Sequence, residues 1–505
     1  VSRTAPTRRP IWPKIPAEFV RSCLAGHSAI GLSLAALCYL ICVTGTLVVF
    51  ADELRRWEQP GVPESRAVSQ PAIRAAADAA VGQAGDKTVG FLSIALPRPD
   101  FPRTSVSVTG KDLSKAWYVA PDGTLAAEKA SPWTEFAVLL HMKLHMPGIW
   151  GYLVVGLAGV AMLALAITGL LAHPRIFRDA FTLRWGGSKR LQEADLHNRL
   201  SVWGLPFNVV LSVTGAWFGL VGLLVAAVAD IGYDGDRAQA AAAVRPPAVA
   251  PDERPAPRLD IAAAVARAEA QPGMERAFSA SLSRPGAAGQ SITVYSTVED
   301  RLVYGEIHHF TADDQAPTEV GWSSGPFGAQ LYASTYTLHF GDFGGLPVKL
   351  LYFALGFALC VVCSSGVAIW LARRRDRGKP APFWERMWAA TAWGQPIALV
   401  VAAVAAITFQ ANALIVFCAV IVASYPLAAL APDAKRLADA MRLFLGTGLA
   451  ALVSAHLIVN GTAALTPVPA VVDGILLIIA AGLVAWNLSL PKPRTQRAKP
   501  PGLAA

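Results

Sequence analysis

Charge is what this chain has least of. Only 16% of its 505 residues are Asp, Glu, Lys or Arg, against about 25% in ordinary soluble domains. With 54% of residues hydrophobic, a soluble enzyme is excluded, and the composition is that of a membrane protein carrying some polar mass. Cysteine is also scarce. Cys23, Cys38, Cys42, Cys360, Cys363 and Cys418 all lie in or beside apolar runs, so the polar segments have no disulfide framework. Cys360 and Cys363 have CxxC spacing, but deep in an apolar run they read as small packing residues. A cleavable signal pattern is missing, because the first apolar run is too long and no small-residue cleavage site follows it; it reads as a signal anchor. A basic stripe is missing too. The net charge of +9 comes from residues that flank apolar runs, which excludes nucleic acid as a partner and points to membrane lipid.

What the chain has in abundance is long apolar runs. A bilayer crossing needs about 20 such residues. The expected order is a cytoplasmic segment 1–26, a span 27–50, a periplasmic insert 51–140, a span 141–173 and a cytoplasmic loop 174–196. A span 197–229, a second insert 230–338, a span 339–371 and a loop 372–386 follow. A four-span module 387–489 and a tail 490–505 complete it. The basic clusters agree with this order. Arg3, Arg8, Arg9, Lys14 and Arg21 precede the first span. Arg175, Arg178, Arg184, Lys189 and Arg190 fill the 174–196 loop, and Arg373, Arg374 and Arg375 close the fourth span. Lys435, Arg436 and Arg442, and Lys492, Arg494, Arg497 and Lys499 in the tail, fall on the same side. Positive charge marks the cytoplasmic face, which puts both termini inside.

The polar inserts repeat a pattern. In the first, a helical stretch (71–84) precedes strand candidates FLSIAL (91–96), RTSVSV (103–108) and AWYVAPDGTLAAE (116–128), with Asp122-Gly123 as the hairpin turn. In the second, a helix at 259–270 precedes strands near 277–283, 291–297 and 302–310. Span, α+β insert, span therefore occurs twice, an internal duplication. The fold expected is a polytopic α-helical membrane protein of about eight transmembrane helices with two small α+β periplasmic inserts. Each span of the duplicated part also carries a Ser/Thr-Gly step: Thr44-Gly45, Thr168-Gly169, Thr214-Gly215 and Ser365-Gly366. Glycine there allows close helix approach, or clearance for a flat macrocycle.

Histidines mark the ends of these spans. His27, His173 and His197 fall at the cytoplasmic edge, and His141, His145 and His339 at the periplasmic edge. At about 1.5 Å per helical residue, His145 and His173 are on the order of 40 Å apart, so the two layers cannot share one cofactor. Each layer draws on at least two helices, as axial ligation of haem by two histidines requires, and an apolar bundle shields the macrocycle. Two haem b groups are expected. His27 and His197 occupy repeat-equivalent positions and form the preferred cytoplasmic pair, with His173 as the spare before Pro174. The periplasmic pair is read as His145 with His339. His141, one turn away on the same face, is open to the same role. The competing readings are interfacial histidines without a ligand and a non-haem metal site using Asp195 or Glu193 beside His197. His456, inside the seventh span, reads as a hydrogen-bonded structural residue or a functional one. His308 and His309 read as an exposed strand of the second insert.

The segments HMKLHMPGIWGYLVVGLAG, TGLLAHPRIFRDAFTLRWGG, LHNRLSVWGLPFNVVLSVTG and LHFGDFGGLPVKLLYFALG resemble the PepSY-associated transmembrane family. They resemble most its iron-uptake branch, the inner-membrane ferrisiderophore reductases of the FoxB and PiuB kind, over residues 15 to 377. The resemblance implies PepSY-like inserts and a bacterial inner-membrane location. It also implies a four-helix core with two b-type haems that passes electrons to a periplasmic ferric siderophore. Carried over, the sites are His27, His141 or His145, His197 and His339, with His173 in the basic-loop motif. One departure is Asn208, where many relatives carry a histidine after the Leu-Pro-Phe step. The function expected is therefore a membrane ferric-siderophore reductase supplied by a quinol or a cytosolic reductase. The rivals are a non-enzymatic membrane scaffold and a siderophore or metal transporter.

Overall fold

The computed structural model describes residues 16–173, 181, 189–242, 245–246, 249–312 and 317–489. Arg175, Arg178 and Arg184 of the basic loop, and the basic residues of the tail, lie outside them. Eight helices among the described residues are long and apolar enough to cross a membrane. The chain divides into two units, Val1–Ala381 and Pro382–Ala505.

In the first unit the spans are α1 (Ala17–Val48), α5 (Trp150–Ala172), α7 (Leu205–Gly232) and α11 (Gly345–Asp376). Three of them are preceded by separate helices: α4 (Pro132–Lys143) before α5, α6 (Lys189–Trp203) before α7, and α10 (Phe327–Phe340) before α11. The reading of His141, His197 and His339 as openings of their spans is corrected here, because each sits on the preceding helix. The chain physics explains the breaks. After α4, Leu144 and His145 both take left-handed conformations (φ 51° and 53°), and Pro147-Gly148 follows. After α10, Gly341 (φ 68°) caps the helix in the same region, a common helix stop. α5 and α7 pack backbone to backbone: a Cβ on Gly156 would stand 2.9 Å from the Gly219 Cα. Such approach is open only to the smallest residues.

The two polar inserts do not fold as two separate domains. Their strands, β1 (Phe91–Ala95), β2 (Thr104–Gly110), β3 (Leu113–Val119), β4 (Leu125–Glu128), β5 (Met274–Ser283), β6 (Ser291–Val298), β7 (Glu306–Thr311) and β8 (Thr318–Glu319), form one antiparallel sheet. Its order is β4-β3-β2-β1-β5-β6-β7-β8. The order is symmetric about the β1–β5 seam, where Ser93 faces Ser281. The Asp122-Gly123 turn forms as expected, with Asp122 Oδ1 accepting from Thr124 N at 2.9 Å. Each insert also supplies one helix to the same face, α3 (Gln70–Gly82) and α9 (Ile261–Glu269), after a small helix α2 (Ala51–Glu58) in the first insert and a short turn α8 (Arg237–Ala242) leading into the second. Ser69 and Asp260 cap α3 and α9, their side chains accepting from backbone N–H groups of the first turn. Ile73, Ala76 and Ala80 of α3 and Ile261, Val265 and Ala268 of α9 pack with Leu92, Ile94, Val106, Leu282 and Val294 in one core. Small alanines at these positions let both helices lie close on the strands.

In the second unit α12 (Pro382–Phe409), α13 (Ala413–Leu430), α14 (Ala434–Asn460) and α15 (Pro467–Ser489) pack with one another. His456 on α14 is fully buried and pairs with Asp473 on α15, Nδ1 to Oδ2 at 2.8 Å. Near the other end of α14, the Arg442 guanidinium lies between the faces of Trp393 and Trp486.

Candidate functional site

The first unit brings four histidines together as two facing pairs. The rings of His27 and His197 have centroids 6.3 Å apart with planes at 88°. The rings of His141 and His339 are also 6.3 Å apart, with planes at 33°. Each pair takes one histidine from each half of the duplication.

The same local device seats all four rings. His27 Nδ1 is 3.1 Å from the Leu165 carbonyl oxygen and 3.2 Å from Thr168 Oγ1 on α5. His141 Nδ1 is 3.0 Å from the Ile41 carbonyl and 3.4 Å from Thr44 Oγ1 on α1. His197 Nδ1 is 3.0 Å from the Val362 carbonyl and 3.1 Å from Ser365 Oγ on α11. His339 Nδ1 meets Thr214 Oγ1 on α7 at 2.8 Å. Carbonyl oxygens only accept, so Nδ1 donates in the first three. In the fourth, the Thr214 hydroxyl donates to the Val210 carbonyl at 2.7 Å, and it therefore accepts from His339 Nδ1. All four imidazoles thus carry their proton on Nδ1 and leave the Nε2 lone pair free. That is the tautomer a metal ligand needs, held by the kind of outer partner that ligating histidines have.

The glycine after each hydroxyl makes room for the ring. A Cβ on Gly45 would stand 2.7 Å from His141 Cε1, and on Gly169 3.1 Å from His27 Cε1. On Gly215 it would stand 3.4 Å from His339 Cε1, and on Gly366 3.5 Å from His197 Cε1. The Ser/Thr-Gly steps are therefore imidazole seats. The sequence displayed the four steps but not which histidine each receives.

His145 is not one of the four. Its Nε2 is 2.9 Å from the Phe136 carbonyl, to which it donates, and its ring stacks on Phe136 at 5.1 Å. This corrects the reading of His145 opposite His339. The αL break at Leu144–His145 ends the helix that would have put both histidines on one face, and only His141 faces His339. His173 caps α5 and lies 3.5 Å from Asn198 through Nε2, beside the His27–His197 pair and outside it. Asp195 and Glu193 form no three-ligand cluster with His197. No group of three or more His, Cys, Asp or Glu side chains suited to a metal ion occurs among the described residues. His308 and His309, expected to be exposed, are buried in β7, because α9 covers one face of that sheet and the aromatic cluster around Trp322 the other.

The donor set fits a haem and does not fit a zinc-type centre. Two imidazoles on opposite sides of one metal, with bonds of about 2 Å, place their ring centroids about 6 Å apart. Both pairs have this spacing and only two donors each. Ile41 lies 14 residues beyond His27 on α1, so the two pairs are roughly 20 Å apart along the helix. Periodicity did not reveal one neighbouring feature. Aromatic rings run from His339 through Phe218 (5.3 Å) and Tyr336 (4.8 Å) to Trp322 (6.1 Å), and from Tyr336 to Tyr304 (5.3 Å), reaching the sheet. The His141–His339 pair is thus the one at the sheet end of the bundle.

Residues 24–373 match the PepSY-associated TM region. This is most of the chain, and the protein belongs to that family of membrane proteins. Among curated proteins, the uncharacterized protein PA4219 of Pseudomonas aeruginosa strain PAO1 is 29% identical over 255 residues, 48% of this chain. The match spans 64% of that relative's length.

Proposed function

We propose that this chain is a membrane electron-transfer protein that holds two b-type haems, one between His27 and His197 and one between His141 and His339. In this reading it passes electrons to a ferric siderophore on the sheet side of the membrane. The observation that carries the reading is the repetition of one geometry: two imidazole pairs at the same spacing, each ring locked in the ligating tautomer by a neighbouring helix. Haem supplies reversible one-electron chemistry when bound. The rest is the work of this chain. His27, His141, His197 and His339 present free Nε2 atoms. Thr168, Thr44, Ser365 and Thr214 hold those rings against rotation. The apolar faces of α1, α5, α7 and α11 keep water out. Their glycines leave the clearance that the rings, and a flat macrocycle between them, require.

The acceptor follows from chemistry and from the family resemblance. Hard oxygen chelators bind Fe(III) far better than Fe(II), so one-electron reduction loosens the metal. The donor, a quinol or a cytosolic reductase, meets the end of the bundle that carries His27 and His197. By the positive-inside rule that end is cytoplasmic and the sheet lies on the opposite side; the family resemblance implies the bacterial inner membrane, which makes that side the periplasm. The test is the reduced-minus-oxidised optical spectrum of the purified protein with haem counted per chain. Two low-spin b-type haems are expected, and a chain that binds none after expression with ample haem overturns the reading.

A further inference from the structure

We propose that the acceptors of the four Nδ1 protons, and Thr214 above all, set the His141–His339 centre at a higher reduction potential than the His27–His197 centre. Electrons then run downhill toward the sheet. The inference rests on the di-haem reading. The observation behind it is an asymmetry. His27, His141 and His197 each donate toward a backbone carbonyl as well as a hydroxyl. Among the described residues, His339 Nδ1 has the Thr214 hydroxyl alone.

An Nδ1–H that is pulled by a strong acceptor gives its imidazole more imidazolate character. The ring then donates more density through Nε2 and favours the ferric state. Amide carbonyl oxygens are intrinsically stronger acceptors than alcohol oxygens, because amide resonance places more negative charge on them; each hydroxyl here is free to accept because it spends its own proton within its helix. Thr168 donates to the Ala164 carbonyl at 2.6 Å and Thr44 to the Leu40 carbonyl at 2.8 Å. Ser365 donates to the Val362 carbonyl at 3.1 Å and Thr214 to the Val210 carbonyl at 2.7 Å. The His27–His197 centre therefore has two electron-rich ligands, and the His141–His339 centre has one. Thr214 is a positioning residue: it touches His339, and acts on the metal only through that ring.

The ring planes provide an assignment independent of the potentials. Near-perpendicular imidazoles, as at His27–His197, give a highly anisotropic low-spin ferric EPR signal. The more nearly parallel His141–His339 rings give a rhombic one. The experiment is a redox titration followed by both optical and EPR spectra, on wild type, Thr214→Val, Thr214→Ser and Thr168→Val. Two waves are expected, with the rhombic signal belonging to the higher. Thr214→Val, which keeps the shape and loses the acceptor, shifts that wave further up and leaves the other in place. Thr214→Ser restores it. Thr168→Val moves the lower wave by less, because His27 keeps the Leu165 carbonyl. If Thr214→Val does not load haem, Thr44→Val serves instead, since His141 retains the Ile41 carbonyl. It then moves the rhombic wave slightly upward. A rhombic signal on the lower wave, or two haems whose potentials ignore Thr214 and Thr44, overturns this inference and leaves the di-haem reading standing. A chain without haem overturns both.

Discussion

At the residue scale, the choice between His141 and His145 turns on a single proton. His145 spends its Nε2–H on the Phe136 carbonyl, whereas His141 spends Nδ1–H on Ile41, keeps Nε2 unspent, and has its ring 6.3 Å from that of His339. On the proposed di-haem reading, His141→Ala is expected to remove one haem and the rhombic ferric signal, and His145→Ala to leave both centres loaded. Haem per chain and EPR decide between them. The glycine seats give a graded version of the same test. Gly45→Ala places a methyl against His141 at a distance real Cβ atoms do not tolerate, whereas the same change at Gly366 meets His197 at 3.5 Å, an ordinary contact. The expected result is loss or strong perturbation of the His141–His339 centre in Gly45→Ala and near-normal haem content in Gly366→Ala.

At the element scale, the loop between β8 and α10 is held by one buried carboxylate. Glu306 Oε1 accepts from Ile307 N, Gly321 N and Trp322 N, and Oε2 from Ser323 N at 2.7 Å and Ser323 Oγ at 2.6 Å. Burial alone would raise its pKa, but these five donors outweigh it and hold the group below its ordinary value of 4.5. The sign follows from linkage. A depressed carboxylate stabilises the fold fully above its unfolded value, and the contribution is lost as pH falls through the lower folded value. The protection of amides in the 320–325 loop, taken relative to their intrinsic exchange at each pH, should therefore hold at neutral pH and fall in acid below about pH 4.5. Glu306→Gln should cost about 2–3 kcal/mol at neutral pH, since a primary amide meets donors with donors, and should flatten the pH dependence. The same loop places Trp322 against Tyr336 and Tyr332, so the carboxylate also shapes the aromatic bridge between the sheet and His339.

At the scale of the whole first unit, the duplication closes on itself. Each half seats its own two histidines and faces them to those of the other half, and the two halves pair their first strands across the β1–β5 seam. One approximate two-fold relation therefore accounts for the symmetric strand order and for both histidine pairs. The seam is open to a direct check. Ser93 and Ser281 face each other in an antiparallel ladder, where Cα atoms are about 4.5–5.5 Å apart, within the range a disulfide spans. Oxidised Ser93→Cys/Ser281→Cys protein should form an intramolecular bridge, seen by peptide mass mapping on a band that stays monomeric. Free thiols after oxidation, or a bridge only between chains, would show that the inserts fold apart.

Much of this was open to a reader of the sequence. The eight apolar runs, the helix–strand order of both inserts and the four Ser/Thr-Gly steps are local properties, written in composition and in neighbours a few residues apart. Periodicity and turn chemistry report such properties well. Even the His27–His197 pair follows from repeat equivalence, because duplicated segments place equivalent residues around a common axis. Three features depended on contacts between segments far apart in the chain. The merging of two inserts into one sheet needed β1 and β5 to meet, and edge strands carry no mark of their partner. The burial of His308 and His309 followed from α9 and the aromatic cluster around Trp322 covering the two faces of β7. The selection of His141 over His145 needed the Ile41 carbonyl on α1 and the facing His339 ring, both distant in the chain, beside the local Phe136 carbonyl and Leu144–His145 turn that occupy His145. Sequence determined which residues were available and on which elements they sit. Tertiary structure decided which lone pairs remain free, because a hydrogen bond to a carbonyl on another helix exists only once the helices have packed.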